Sequence, residues 1–232
     1  MKPLIFVFAF SFLLFNQLYS QLSVGLKAGG NISTMKFNEE PDYPEGVESF
    51  NETVDWLDGI QGGLQFAYKL APVEFAGEVL YAQKGQRVVD EIFFTSERVE
   101  TRLRLHYFSL PLITRIYLTD AFYLGAGGEV SYMIAGKLTN DRDDSSVDIL
   151  DEDTYVLEVN RLDVGVLAEA GFKLPMGIGI QLRYVHSFGD YYNGNLQFTD
   201  PNGEPLAEYD PKLRNRSLQL SLTYDLISAS ND

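Results

Sequence analysis

The sequence predicts an all-β fold: an eight-stranded antiparallel up-and-down transmembrane β-barrel with short periplasmic turns and long extracellular loops. Three observations predict it. Apolar residues alternate with small or polar ones in stretch after stretch, as where Val164, Val166, Ala168, Ala170 and Phe172 interleave with Asp163, Gly165, Leu167, Glu169 and Gly171. That period of two belongs to a strand with unlike faces. The connections between such stretches are alternately very short and long, which trims one end of a barrel and elaborates the other. One face is Leu, Val, Ile, Phe and Tyr, whereas the other carries charges of both signs among Gly and Ala. A soluble barrel would set more charge on its convex surface. Balanced opposite charges suit a narrow interior, where each ion needs a partner.

Taken in order, Met1 to Ser20 reads as a secretory signal. Lys2 supplies the positive start, Leu4 to Phe15 is apolar apart from Ser11, and Ser20 is a small residue suited to cleavage before Gln21. Twelve residues of helix reach roughly 18 Å, short of a hydrocarbon core of about 30 Å, so cleavage is expected rather than anchoring. The domains are therefore a signal peptide over 1–20 and a barrel over 21–232, exported to the outer membrane of a Gram-negative bacterium. Strands are predicted over 22–36, 57–70, 73–88, 99–118, 122–136, 159–174, 178–192 and 214–227. The second and third, fourth and fifth, and sixth and seventh meet through Ala71-Pro72, Thr119-Asp120-Ala121 and Pro175-Met176-Gly177, all with turn chemistry. Longer connections are predicted over 37–56, 89–98, 137–158 and 193–213.

Composition excludes several classes. With 45% hydrophobic residues the chain is too apolar for a disordered one, and without cysteine it has no disulfide, thiol nucleophile, Cys-based metal site or lipid-anchoring cysteine. A net charge of −15 argues against a nucleic-acid partner. After Gln21 no run approaches the roughly 18 apolar residues of a membrane helix. The lumen-facing charges are predicted to be Lys27, Lys69, Arg115, Lys173 and Arg183 against Glu74, Glu78, Glu129, Asp163 and Glu169, a structural ion network rather than a pore lining. Most of the acidic excess falls in the long connections, for example Glu39, Glu40, Asp42, Glu45 and Glu48.

Candidate chemistry is sparse. His106 and His186 are the two histidines. His186 and Ser187 are adjacent, so in a strand they point to opposite faces and do not form a base–nucleophile pair. An outer-membrane lipid hydrolase is therefore a weak alternative, a small pore or ligand-admitting channel a second. The Asp141 to Asp153 cluster lacks the glycine and terminal glutamate of a calcium loop and reads as solvated acid, with divalent bridging to lipid phosphate as the variant reading. Tyr68, Tyr81, Tyr117, Tyr123, Tyr132 and Tyr184 are expected as interface anchors, and Trp56 as an anchor or a stacking platform. No catalytic residue, metal or cofactor is expected.

Four segments carry a resemblance. Leu22-Ser23-Val24-Gly25-Leu26-Lys27-Ala28-Gly29-Gly30-Asn31-Ile32-Ser33 resembles the first strand of the PorT-like outer-membrane β-barrel family of Bacteroidetes. Tyr107-Phe108-Ser109-Leu110-Pro111-Leu112-Ile113 is similar to that family's fourth strand, and Tyr123-Leu124-Gly125-Ala126-Gly127-Gly128 and Leu182-Arg183-Tyr184 also fit. The resemblance spans roughly 22–227. It implies a non-enzymatic envelope barrel, with a link to type IX secretion or gliding through the founding member. Expected partners are outer-membrane lipid and lipopolysaccharide, the assembly machinery during insertion, and an envelope protein complex. One departure is the end: Tyr224 is followed by Asp225 and a polar tail rather than a terminal aromatic.

Overall fold

Alternating sequence becomes a closed ring of eight strands in the computed structural model, which describes residues 21–37, 53–92, 97–142, 145–150, 158–193, 196–199, 205–209 and 213–227. The strands are β1 (Leu22–Phe37), β2 (Leu57–Leu70), β3 (Val73–Ile92), β4 (Glu97–Tyr117), β5 (Phe122–Asn140), β6 (Leu162–Lys173), β7 (Ile178–Ser187) and β8 (Leu213–Ile227). Each pairs antiparallel with the next, and β8 closes on β1 through pairs such as Lys27 with Thr223. No edge is left open, so the barrel wall satisfies its own backbone polar groups.

The pairing also fixes the tilt. A circuit of paired residues from Asn31 through Gln219, Arg183, Glu169, Gly125, Arg115, Glu74 and Lys69 returns to the first strand at Gln21. The stagger between Asn31 and Gln21 is ten residues, which for eight strands inclines each by about 40° to the axis. Five residues of that circuit are charged, so register alone brings them to one belt of the interior.

The two faces separate as the period requires. Odd-numbered positions of β1, β2, β4, β6, β7 and β8 and even-numbered positions of β3 point inward, where Lys27, Gln65, Glu78, Arg115, Glu169, Arg183 and Gln219 are all at most 5% exposed. The opposite face presents Leu26, Ile60, Leu64, Phe75, Leu110, Leu112, Val164, Phe172, Leu182, Leu220 and Leu222, each at least 40% exposed. In β5 the alternation slips by one residue: opposite it the pairing shifts between His106 and Tyr107, and Gly136 then takes the inward place beside Leu105 and Ile149.

Several boundaries differ from the sequence reading. The hairpin of β3 and β4 runs on through Asp90 with Val99 and Ile92 with Glu97, so the connection expected over 89–98 shrinks to 93–96. Charged residues on both parities there mask a strand that continues beyond the apolar band. The seventh strand, expected to reach 192, stops at Ser187, because Tyr191 turns into an apolar cluster and its carbonyl accepts from Asn160 N–H at 2.9 Å. The sixth begins at Leu162 rather than 159. Short ladders extend the wall at the long-connection end: Thr53–Asp55 on β3, Ser145–Asp148 on β5, Glu158–Val159 with Tyr192–Asn193, and Leu196–Thr199 with Pro205–Tyr209. The expected signal segment and most of the first acidic connection lie outside the described residues.

Candidate functional site

The interior is the candidate site, because it gathers the chain's buried ionisable groups. Glu78 on β3 is the hub. Its carboxylate accepts from Lys27 Nζ at 3.0 Å, Arg115 Nη2 at 3.2 Å, and Arg183 Nη1 and Nη2 at 2.8 and 2.7 Å. Glu169 accepts from Arg115 Nε at 2.6 Å on one oxygen and, on the other, from Arg183 Nε and Nη2 at 2.9 and 2.7 Å and from Gln181 Nε2. Arg115 is completed by Glu74 at 2.8 Å and the Gln65 side-chain oxygen at 3.1 Å, and Tyr117 donates to Glu74 at 3.0 Å. Arg183 thus grips Glu78 through a two-pronged fork, whereas Arg115 spreads its three nitrogens over Glu169, Glu74 and Glu78; such charge-assisted hydrogen bonds are the strong ones. With side chains at most 2% exposed, these ions keep their charge inside only because every one is paired.

Gly125 makes the crossing possible. It lies between Arg115 and Glu169 in the ladder, and a Cβ there would stand 2.8 Å from Glu169 Cγ and 3.2 Å from Arg115 Cγ. Gly125→Val should therefore part the Arg115–Glu169 pair and destabilise the barrel by about 1–3 kcal/mol. A lowered urea midpoint of the compact electrophoretic form is the expected reading, and an unchanged midpoint would contradict it.

Toward the long connections a second group follows. Lys84 Nζ meets Glu129 at 2.6 Å, Ser131 donates to Glu129 at 2.9 Å, and Ser187 donates to Asp163 at 2.8 Å. Above it the lumen turns apolar. Met35, Leu103, Leu105, Tyr107, Met133, Ile149, Tyr191 and Leu213 form one buried cluster. On each contributing strand these residues lie nearer the long connections than the charged residues do: Met35 beyond Lys27, Leu105 beyond Arg115, Met133 beyond Glu129. The interior is a packed stack of ions below and an apolar plug above.

All ten lumen charges predicted from the sequence sit on the inward parity, though not alike. Lys69 is half-buried with Nζ 4.4 Å from the centre of the Tyr117 ring, and Lys173 is partly exposed and pairs with Asp225 at 2.6 Å. Sequence reasoning missed Lys84 and Asp225. Their parity, shared with Glu78 and with Gln219 respectively, was the available signal. The set still balances, six cations against six anions among the described residues. Tyr117 and Tyr123 are corrections: both face inward, Tyr117 on Glu74 and Tyr123 beneath Arg115 at 5.1 Å. Tyr81, Tyr132 and Tyr184 lie on the outer face.

The histidines are also outside. Nδ1 of His106 is 2.6 Å from the Tyr81 hydroxyl, which accepts from Gln83 at 3.1 Å, and His186 packs edge-on to Phe188. Ser187 and its Asp163 partner are in the lumen, on the other side of the wall from His186. Of the acidic cluster, Asp141 pairs with Arg102 at 3.0 Å and Asp148 accepts from Leu150 N–H at 2.9 Å. Asp143, Asp144, Asp151, Glu152 and Asp153 lie outside the described residues. Among the described residues no three acidic or histidine side chains gather as a metal site. Trp56, 45% exposed, stands at the entrance to β2.

The family comparison agrees with this architecture. Residues 15–193 match the family described as outer membrane protein beta-barrel domain. Similar solved structures include Neisserial surface protein A, with a TM-score of 0.47 at 11% identity, covering 88% of this chain and 99% of that one. Ail, the attachment invasion locus protein of Yersinia pestis, gives 0.40 at 12% identity over 89% and 99% of the two chains. OprG of Pseudomonas aeruginosa gives 0.38 at 15% identity over 90% and 98%. No curated protein matches the sequence.

Proposed function

This chain belongs to the outer membrane protein beta-barrel domain family, and from that premise we propose that it is a closed, non-enzymatic envelope barrel whose outward loops, not its lumen, make its specific contacts. Family membership gives the location, the outer membrane. The observation that carries the rest is the filled interior: a paired ion stack under an apolar plug leaves the barrel axis to side chains. An eight-stranded barrel is only wide enough for its own side chains. The two ends of the wall are unlike, with three short turns at one and, at the other, three long, acid-rich connections beside the extended β3–β4 hairpin, and long loops on a rigid scaffold are where binding residues concentrate.

In this reading the signal segment is removed between Ser20 and Gln21, the short turns face the periplasm, and the long connections face outward. The twelve lumen charges are structural. The chain is an accessory or interaction component, and its resemblance to PorT-like barrels makes a secretion, gliding or envelope-assembly complex the class of partner to seek. Lipid of the outer membrane surrounds the apolar face, and the assembly machinery handles the chain during insertion.

Two measurements test this. Pure refolded protein in planar bilayers should give no steady unitary conductance, and reproducible channels would replace the closed-barrel reading with a pore. Mild-detergent affinity purification from native membranes should return a mature chain starting at Gln21 with a specific partner crosslinked through the long connections. Recovery without any specific partner would remove the interaction role.

A further inference from the structure

A chain with a net charge of −15 carries an outward-facing cluster of cations at one rim. Read from the turn end, the outward positions of β8 are Leu226, Tyr224, Leu222, Leu220 and Leu218, then Arg216 and Arg214. On β1 the outward row passes Leu26 and Ile32 and ends at Lys36. Lys36 and Arg214 are directly paired in the ladder, and Arg216 lies two residues away on the same face, paired with Thr34 on one side and His186 on the other. Like charges directly opposite on neighbouring strands repel. Asp190 offsets one of the three, at 3.3 Å from Arg214 Nε, while Lys36 and Arg216 have no ion pair among the described residues. Arg216 Nε is, moreover, buried with no hydrogen-bond partner.

Among the described residues the opposite end of the wall has nothing like it. Its cations, Lys69 and Lys173, turn inward to Tyr117 and Asp225. Cations on the outer face of β1 and β8 thus collect at the long-connection rim, one or two outward positions beyond the last apolar side chain. Arg104 and Lys137 are similarly opposed on β4 and β5, but there Asp148 stands across from Lys137, so the β1–β8 cluster is the less compensated.

We propose that Lys36, Arg214 and Arg216 form a docking surface for the phosphate headgroup of an outer-leaflet lipid. A phosphate relieves the Lys36–Arg214 repulsion, and the planar guanidinium forks match its oxygens. Leu218 and Leu220, directly below, give the acyl chains an apolar wall. The inference rests on the reading of the barrel as membrane-spanning with its long connections outward, and it adds a lipid contact to that reading.

The test uses full-length mature protein refolded into phosphatidylcholine nanodiscs doped with bis-phosphorylated lipid A, with dephosphorylated lipid A, or with bis-phosphorylated lipid A in the presence of millimolar inorganic phosphate. Retained lipid is counted by native mass spectrometry. Wild type should retain the phosphorylated lipid, and the K36Q/R216Q variant should retain it about ten-fold more weakly per contact removed. The charge-preserving K36R variant, which keeps both guanidinium forks, should behave as wild type, which separates lost charge from lost folding. Equal retention by wild type and K36Q/R216Q, equal retention of the dephosphorylated lipid, or full displacement by millimolar free phosphate would overturn the proposal. Heat-dependent electrophoretic mobility is read on every sample. Loss of the compact form in wild type would count against the spanning barrel itself, whereas a compact form without phosphate dependence would sink the docking surface alone.

Discussion

Glu78→Gln should lower the unfolding free energy of the folded barrel by about 3–5 kcal/mol, the cost of leaving buried charge uncompensated. The substitution keeps size and hydrogen-bonding capacity but removes the one negative charge that Lys27, Arg115 and Arg183 all face. None of these groups can reach water in its present position, since their side chains are at most 2% exposed. The natural control is Glu100→Gln. Glu100 also serves two arginines, at 2.8 and 3.7 Å, yet its side chain is 25% exposed and theirs 41% and 38%, so its removal should cost about 0–1 kcal/mol. Urea unfolding in detergent micelles, followed by loss of the compact electrophoretic form, measures both. Similar midpoints for the two variants would mean that the interior network is hydrated rather than sealed.

Leu112→Arg is the second large effect, expected to destabilise the inserted barrel by about 2–4 kcal/mol. Leu112 is 71% exposed in the middle of the outward row of β4, between Phe108 and Leu110 on one side and Ile116 on the other. On a barrel surrounded by water the same change at so exposed a position would fall within about 0.5 kcal/mol. The sign and size of this one substitution therefore report the solvent of the outer face. Refolding efficiency and urea midpoint in phosphatidylcholine vesicles supply the reading, and a neutral result would contradict a lipid-facing wall.

Much of this architecture is legible in the sequence, since a barrel writes its two faces as parity. Eight strands and the inward rows of β6, β7 and β8 follow from period two, and the three tight turns from Pro, Gly and Asp at their positions. Errors concentrate where parity is obscured or ignored. Around Lys84 the run Gln83-Lys84-Gly85-Gln86-Arg87 is polar on both faces, so the buried lysine hides among surface-like neighbours. There Gly85, at φ 150, sends its N–H to Ser33 Oγ, and a Cβ would collide with the Leu103 carbonyl. Tyr117 and Tyr123 were assignable by parity with Arg115 and Glu129, but aromatic residues at strand ends suggest anchors first. The apolar plug was not legible. It joins Met35, Tyr107, Met133, Ile149 and Leu213 from five separate segments, and only the register of the closed ring brings them together.

The seam between β1 and β8 has a kinetic meaning. Every other pair among the eight barrel strands joins neighbours in sequence, whereas Lys27 meets Thr223 and Val24 meets Ile227 from opposite ends of the chain. Loop-closure entropy and high contact order make such pairing slow relative to local hairpins. Until it forms, the first and last strands present bare edges able to template pairing with other chains. The aggregation hazard of this protein thus lies in the interval before its ends meet.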